Sequence, residues 1–141
     1  MKSYSTLLRA CFWIGAVTDG LAVVPMLSPG IGTMLFGREF ARVGVDYRYS
    51  MGIGASLMAG WTVLLIWGSV KPTERRDLLL ITLFPVIAGI IVSTIYGIRQ
   101  HVMEFGRTIP LLVHLGFLNI LYLYSYSKSR SNDKEMHNQA L

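Results

Sequence analysis

Four long apolar stretches constrain the fold of this chain more than any other feature of its sequence. They cover residues 6–27, 49–70, 78–98 and 108–126, and charged clusters separate them. Each has about 20 residues, the length of α-helix that crosses the roughly 30 Å hydrocarbon core of a bilayer. Backbone polar groups find no water there, so helices are the structure that such stretches adopt. The sequence predicts an all-α, polytopic membrane protein, an antiparallel bundle of four transmembrane helices.

Composition agrees with one small membrane domain. Hydrophobic residues make up 52% of the chain and the mean hydropathy is +0.49. Charged residues make up only 15%, well below the roughly 25% of a soluble domain. We therefore expect residues 1–127 to form a single membrane domain. Residues 128–141 are polar and lack periodicity, which predicts a disordered cytoplasmic tail.

The distribution of basic residues predicts the orientation of the bundle. The net charge is +5, and the basic residues flank the apolar stretches, which favours membrane lipid rather than nucleic acid as the partner. Four spans place both termini on one side. That side carries eight basic residues (Lys2, Arg9, Lys71, Arg75, Arg76, Lys128, Arg130, Lys134) and the other side five (Arg38, Arg42, Arg48, Arg99, Arg107). The positive-inside rule then predicts a multi-pass protein of the cell membrane with both termini cytoplasmic.

Asp19 is the one acidic residue well inside an apolar stretch. A carboxylate in hydrocarbon is costly, so such a residue faces the bundle interior and often marks function. Asp19 is expected about 12 Å below the outer surface, and His114 in the fourth helix about 10 Å below it. The hypothesis is a polar ligand-binding site in the outer half of the bundle, formed by Asp19, His114, Arg48, Ser93 and Tyr96. The structural alternative is a buried hydrogen-bonded cluster that fixes the register of the helices.

Two helices carry small residues at helical spacing. Gly52, Ser56 and Gly60 form a small-xxx-small series in the second helix, which predicts close packing within one subunit or between subunits of a homo-oligomer. The third helix has a small and polar stripe that is expected to face the bundle, with Gly89 as its packing glycine. The stripe consists of Thr82, Pro85, Gly89, Ser93 and Tyr96.

The segments at the membrane surfaces carry weaker signals. The first outer loop opens with SPGIG, which predicts the end of the first helix. Residues 33–43, TMLFGREFARV, have an amphipathic pattern, which predicts a short interfacial helix or a lid over the outer mouth of the bundle. Tyr122, Tyr124 and Tyr126 are predicted to form an aromatic belt at the cytoplasmic interface.

Three stretches carry a resemblance: TDGLAVVP at 18–25, YRYSMGIGASLMAGW at 47–61 and KPTERRDLLLITLFPVIAG at 71–89. They resemble a group of small prokaryotic four-helix integral membrane proteins, a likeness that implies the architecture and no particular activity. By helix count and by the acidic residue in its first helix, the chain also resembles, more loosely, the EXPERA group of four-helix proteins. That second likeness implies a ligand cavity with buried acidic groups, of which this sequence has only Asp19.

Three classes of function remain open. The first is a binding or transport module for a small cation, a proton or an amphiphile that uses Asp19. The second is a structural or assembly protein that uses the small-residue helix face. The third is an intramembrane lipid-modifying enzyme, which is less favoured because no nucleophile or second carboxylate accompanies Asp19 and His114 within the spans. No cofactor or metal is expected, since the chain lacks HExxH and paired histidine ligands.

Overall fold

The computed structural model describes residues 2–37 and 44–139, with side chains described for 5–37 and 44–131. These residues form helices and connecting turns, with no strand among them. The elements are α1 (Lys2–Leu27), α2 (Pro29–Phe36), α3 (Val45–Val70), α4 (Asp77–Ile81), a π-helical turn (Thr82–Ile87), α5 (Ala88–Arg99) and α6 (Phe105–Gln139). The prediction of an all-α fold is confirmed.

Four helical segments are long and apolar enough to cross a membrane. They are Ser5–Leu27, Val45–Val70, Asp77–Arg99 and Phe105–Ser131, and the third joins α4, the π-helical turn and α5. Each coincides with one of the predicted spans to within a few residues. The ends differ because hydropathy locates the apolar middle of a helix, whereas backbone hydrogen bonds continue into its polar flanks.

Close contacts between α1 and α3 run in opposite order along the two helices. Phe12 packs on Gly68, where an added Cβ would lie only 2.6 Å from the ring. At the other end of the pair, Met26 lies beside Gly54. Gly68 thus lets an aromatic ring reach the backbone of α3, as small residues do where helices pack without a hydrophobic driving force.

The core lies between α1, α3, the third span and α6. Its buried residues are Leu8, Cys11, Phe12, Ala16, Leu65, Leu79, Leu83, Ile87, Leu115, Leu118 and Tyr122. The expectation that Tyr122 belongs to an interfacial belt is wrong, because this side chain is only 1% exposed. Its hydroxyl donates to the Cys11 carbonyl at 3.4 Å, which satisfies the phenol inside the core.

The π-helical turn changes which face of the third span points inward. Pro85 has no N–H to donate and lies inside this turn, where a proline disrupts regular α-helical bonding. One extra residue in a turn rotates all later side chains by about 100°. Accordingly Ile87 and Thr94 are buried. Of the predicted stripe only Thr82 is buried, while Pro85, Gly89, Ser93 and Tyr96 are exposed.

The outer ends of the helices are joined through α2. The SPGIG segment does more than end α1, because Pro29 starts α2, consistent with the preference for proline in a first helical turn. The helix ends at Phe36, and Gly37 follows with a φ of 110°, which favours glycine. The backbone N–H of Glu104 donates to the Phe36 carbonyl at 3.0 Å. The predicted interfacial helix over 33–43 is therefore displaced toward the N-terminus, and its residues 38–43 lie outside the described part.

Arg107 strengthens this junction at the start of α6. Its Nη1 donates to the Met34 carbonyl at 2.8 Å, and its Nε donates to Glu104 at 2.7 Å. A guanidinium at the C-terminus of α2 satisfies a carbonyl that has no helical partner. The short helix is thus anchored to α6.

The opposite end of the bundle holds further arginine contacts. Arg9 donates to the Ser69 carbonyl at 3.2 Å, and Arg75 donates to the Trp67 carbonyl while lying over the Trp67 ring. Both cap the last turn of α3. Residues 128–139, for which the sequence predicts a disordered tail, continue α6 as helix to Gln139.

Candidate functional site

Asp19 occupies the interior side of α1. Its side chain belongs to the face that also carries Phe12 and Ala16, and the residue is 8% exposed. Its Oδ2 is fully buried and has no hydrogen-bond partner among the described residues. A buried polar atom without a partner costs about 1–3 kcal/mol, and more if it is charged. The carboxyl group therefore favours a proton or an incoming donor.

Tyr122 is the neighbour of this carboxyl group that the sequence did not indicate. Its hydroxyl packs against Gly15, one helical turn before Asp19, where an added Cβ would lie 2.0 Å from the oxygen. The one phenolic proton is directed to the Cys11 carbonyl. Tyr122 thus closes this part of the core without donating to Asp19. The available signal was Gly15, which shares a face with Asp19 and marks a close approach.

His114 reaches α1, but its partner is Thr18 rather than Asp19. The His114 Nε2 and Thr18 Oγ1 atoms are 3.0 Å apart. Thr18 also donates its hydroxyl proton to the Ile14 carbonyl at 2.9 Å. Asp19 and His114 are therefore close along α1 but belong to different faces of that helix, one facing the core and one facing outward.

An open apolar groove of about 530 Å³ lies on this outward face. It is lined by Trp13, Ile14, Val17, Thr18, Leu21 and His114, and so follows α1 for about 12 Å. Thr18 and His114 are its polar lining residues. The carboxyl group of Asp19 does not line it.

The other three predicted site residues lie elsewhere. Arg48 is exposed in the first turn of α3, and Ser93 is exposed on α5. Tyr96 is 64% exposed. The π-helical turn accounts for Ser93 and Tyr96, since without it their face would point toward the core. The structure thus brings Asp19 and His114 to neighbouring positions of α1 and leaves Arg48, Ser93 and Tyr96 outside that cluster.

The predicted packing glycines make no close contacts within the subunit. A Cβ added to Gly52, Gly60 or Gly89 would meet nothing within 4 Å. Ser56 is exposed, and its hydroxyl donates to the Gly52 carbonyl at 2.9 Å. The glycines that do pack closely in the bundle are instead Gly15 and Gly68.

Within the described ranges, no three or more His, Cys, Asp or Glu side chains group together as a metal site would require. Comparison of the chain with protein-family models, with curated proteins and with solved structures finds no match. The functional argument therefore rests on the geometry of the bundle.

Proposed function

We propose that the chain is a multi-pass protein of the cell membrane, an antiparallel four-helix bundle with both termini in the cytoplasm. The outward faces of its four long helices support insertion, because each carries large apolar side chains that no neighbouring helix covers. Examples are Leu21, Leu57, Val92 and Ile120, all strongly exposed. In water such surfaces favour aggregation, whereas in a bilayer they meet lipid. The eight-to-five distribution of basic residues supports the orientation.

Its function, in this proposal, is to bind or transport a small ligand through Asp19, and the ligand favoured over a small cation or the polar end of an amphiphile is a proton. The observation that carries the proposal is the buried Oδ2 of Asp19, which has no hydrogen-bond partner within the described residues. Metal cations bind several oxygen or nitrogen ligands, while a proton needs one carboxylate. Intramembrane carboxyl groups commonly mark proton relays.

Infrared spectroscopy of the protein in lipid vesicles tests this proposal. With aspartate labelled at its carboxyl carbon, a protonated Asp19 gives a carboxylic acid band that changes with pH. We expect Asp19→Asn to remove this band. Asp46→Asn is the matched control, since Asp46 is exposed at the start of α3 and its removal leaves the band in place.

Proton movement separates binding from transport. In vesicles that enclose a pH-sensitive dye, an imposed membrane potential should drive protons faster with the wild-type chain and Asp46→Asn than with Asp19→Asn. A band that never changes with pH, together with equal proton flux for all three proteins, would show that Asp19 only fixes helix register.

A second candidate function is assembly with another copy of the chain through α3. The observation that favours it is the open space beside Gly52 and Gly60 on an exposed face. Gly60→Leu should then weaken association in bilayers, as measured by single-molecule photobleaching. Gly116→Leu is the control, because Gly116 also has open space but lies on α6. Equal oligomeric states for both variants and the wild type would exclude this face as the contact.

A further inference from the structure

The hydrogen bonds of Thr18 determine the protonation pattern of neutral His114. A threonine hydroxyl has one proton, and Thr18 directs it to the Ile14 carbonyl. Its oxygen therefore accepts the bond from His114, so Nε2 carries the ring proton. A neutral imidazole has one N–H and one acceptor nitrogen. Nδ1 of His114 is therefore a hydrogen-bond acceptor.

The remaining lining of the groove is apolar and elongated. Trp13, Val17 and Leu21 line it at helical spacing, and Leu21 and Val17 expose more than half of their surface. Such a groove runs parallel to α1, and in a membrane it therefore runs along the direction of the acyl chains. It fits one hydrocarbon chain.

The depth of the polar pair limits the head group of that chain. Thr18 lies nine residues before Leu27, the last residue of α1, which corresponds to about 13 Å along the helix axis. Charged groups are costly at this depth and remain near the interface. A phosphate-bearing head group is thereby excluded, while a neutral donor is accommodated.

We infer that the groove formed by Trp13, Ile14, Val17, Thr18, Leu21 and His114 binds a neutral lipid with one free hydroxyl group, of the long-chain alcohol or diglyceride class. The hydroxyl donates to Nδ1 of His114, and the hydrocarbon chain lies against α1. The inference rests on the membrane insertion proposed above, but it is independent of proton binding at Asp19.

Photolabelling in phosphatidylcholine vesicles tests the inference. The probe is hexadecanol with a diazirine in its chain, and the comparison probe is its methyl ether, which has no hydroxyl proton. With the wild-type chain we expect labelling of residues 13–21 and 114 that unlabelled hexadecanol competes away. One hydrogen bond corresponds to about fivefold in affinity, so the ether should compete about fivefold less well.

Two variants separate the contributions of the hydroxyl and the chain. His114→Phe should reduce competition by the alcohol to that of the ether, and Val17→Phe should reduce labelling by both probes by filling the groove. Val113→Phe is the matched control, because it adds the same bulk on an exposed position of α6 outside the lining.

The inference is overturned if alcohol and ether compete equally with the wild-type chain, since the groove would then hold bulk lipid only. It is also overturned if His114→Phe leaves the preference for the alcohol intact. Labelling in the Asp19→Asn variant should match the wild type, so a failed proton assay and a failed groove assay remain distinguishable. Resistance of the protein to extraction from vesicles at alkaline pH tests the membrane insertion on which the inference rests.

Discussion

Replacement of Gly15 by alanine should destabilise the bundle through one defined atomic contact. The new methyl group would lie 2.0 Å from the Tyr122 hydroxyl oxygen and 3.1 Å from Leu65 Cδ1. Tyr122 is fully buried and held at the Cys11 carbonyl, so it has little room to move. Overpacking of this kind costs about 1–3 kcal/mol of the free energy of unfolding.

Removal of the hydroxyl should relieve most of that cost. In Tyr122→Phe the remaining ring atom nearest to the new methyl group is Cζ, at 3.4 Å, which is ordinary contact distance. The single change Tyr122→Phe removes a long hydrogen bond of 3.4 Å, which contributes about 0.5 kcal/mol. The double variant Gly15→Ala/Tyr122→Phe should therefore be more stable than Gly15→Ala, with a coupling energy of about 1–2 kcal/mol.

Reversible unfolding in mixed micelles measures the four corners of this mutant cycle. Gly60→Ala is the control, because its added Cβ would meet nothing within 4 Å. It should be neutral or stabilise the chain by up to about 1 kcal/mol through helix propensity. If Gly15→Ala costs the same in both backgrounds, Tyr122 does not pack on Gly15 and the closure of the core beside Asp19 is incorrect.

Two further predictions concern the outer junction and the third span. Arg107→Gln should cost less than about 1 kcal/mol, because its pair with Glu104 is half exposed, yet amide hydrogen exchange in α2 should accelerate as the carbonyl contact is lost. Spin labels at Ser93 and Thr94 should differ in paramagnetic resonance: the label at Ser93 should be mobile and accessible to oxygen, and the label at Thr94 immobile; the reverse pattern would contradict the π-helical turn.

The length and apolarity of the four spans were sufficient to predict the helices. A run of about 20 apolar residues has few alternatives to a helix, so the element type follows directly from the sequence. The burial of Asp19 was predictable for a similar reason, since Gly15 and Ala16 create a face where another helix packs closely.

The azimuth of the third span was not predictable from residue spacing. Spacing assumes 3.6 residues in every turn, and the π-helical turn around Pro85 violates that assumption, moving the buried face from Ser93 to Thr94. Tyr122 failed for a different reason. An aromatic residue near the end of an apolar run is typical of an interface, whereas here α6 continues well beyond it and the side chain inserts opposite Gly15.

The enclosure of Asp19 has a consequence for biogenesis. Asp19 is synthesised about 100 residues before Tyr122, whose ring closes the neighbouring part of the core. Because translation proceeds from the N-terminus, a ribosome-bound intermediate contains α1 and α3 while α6 is still missing. Insertion of the final helix is therefore the step that completes the surroundings of the carboxyl group. Chains that stop before α6 leave an acidic side chain incompletely covered, which makes them natural targets for membrane quality control.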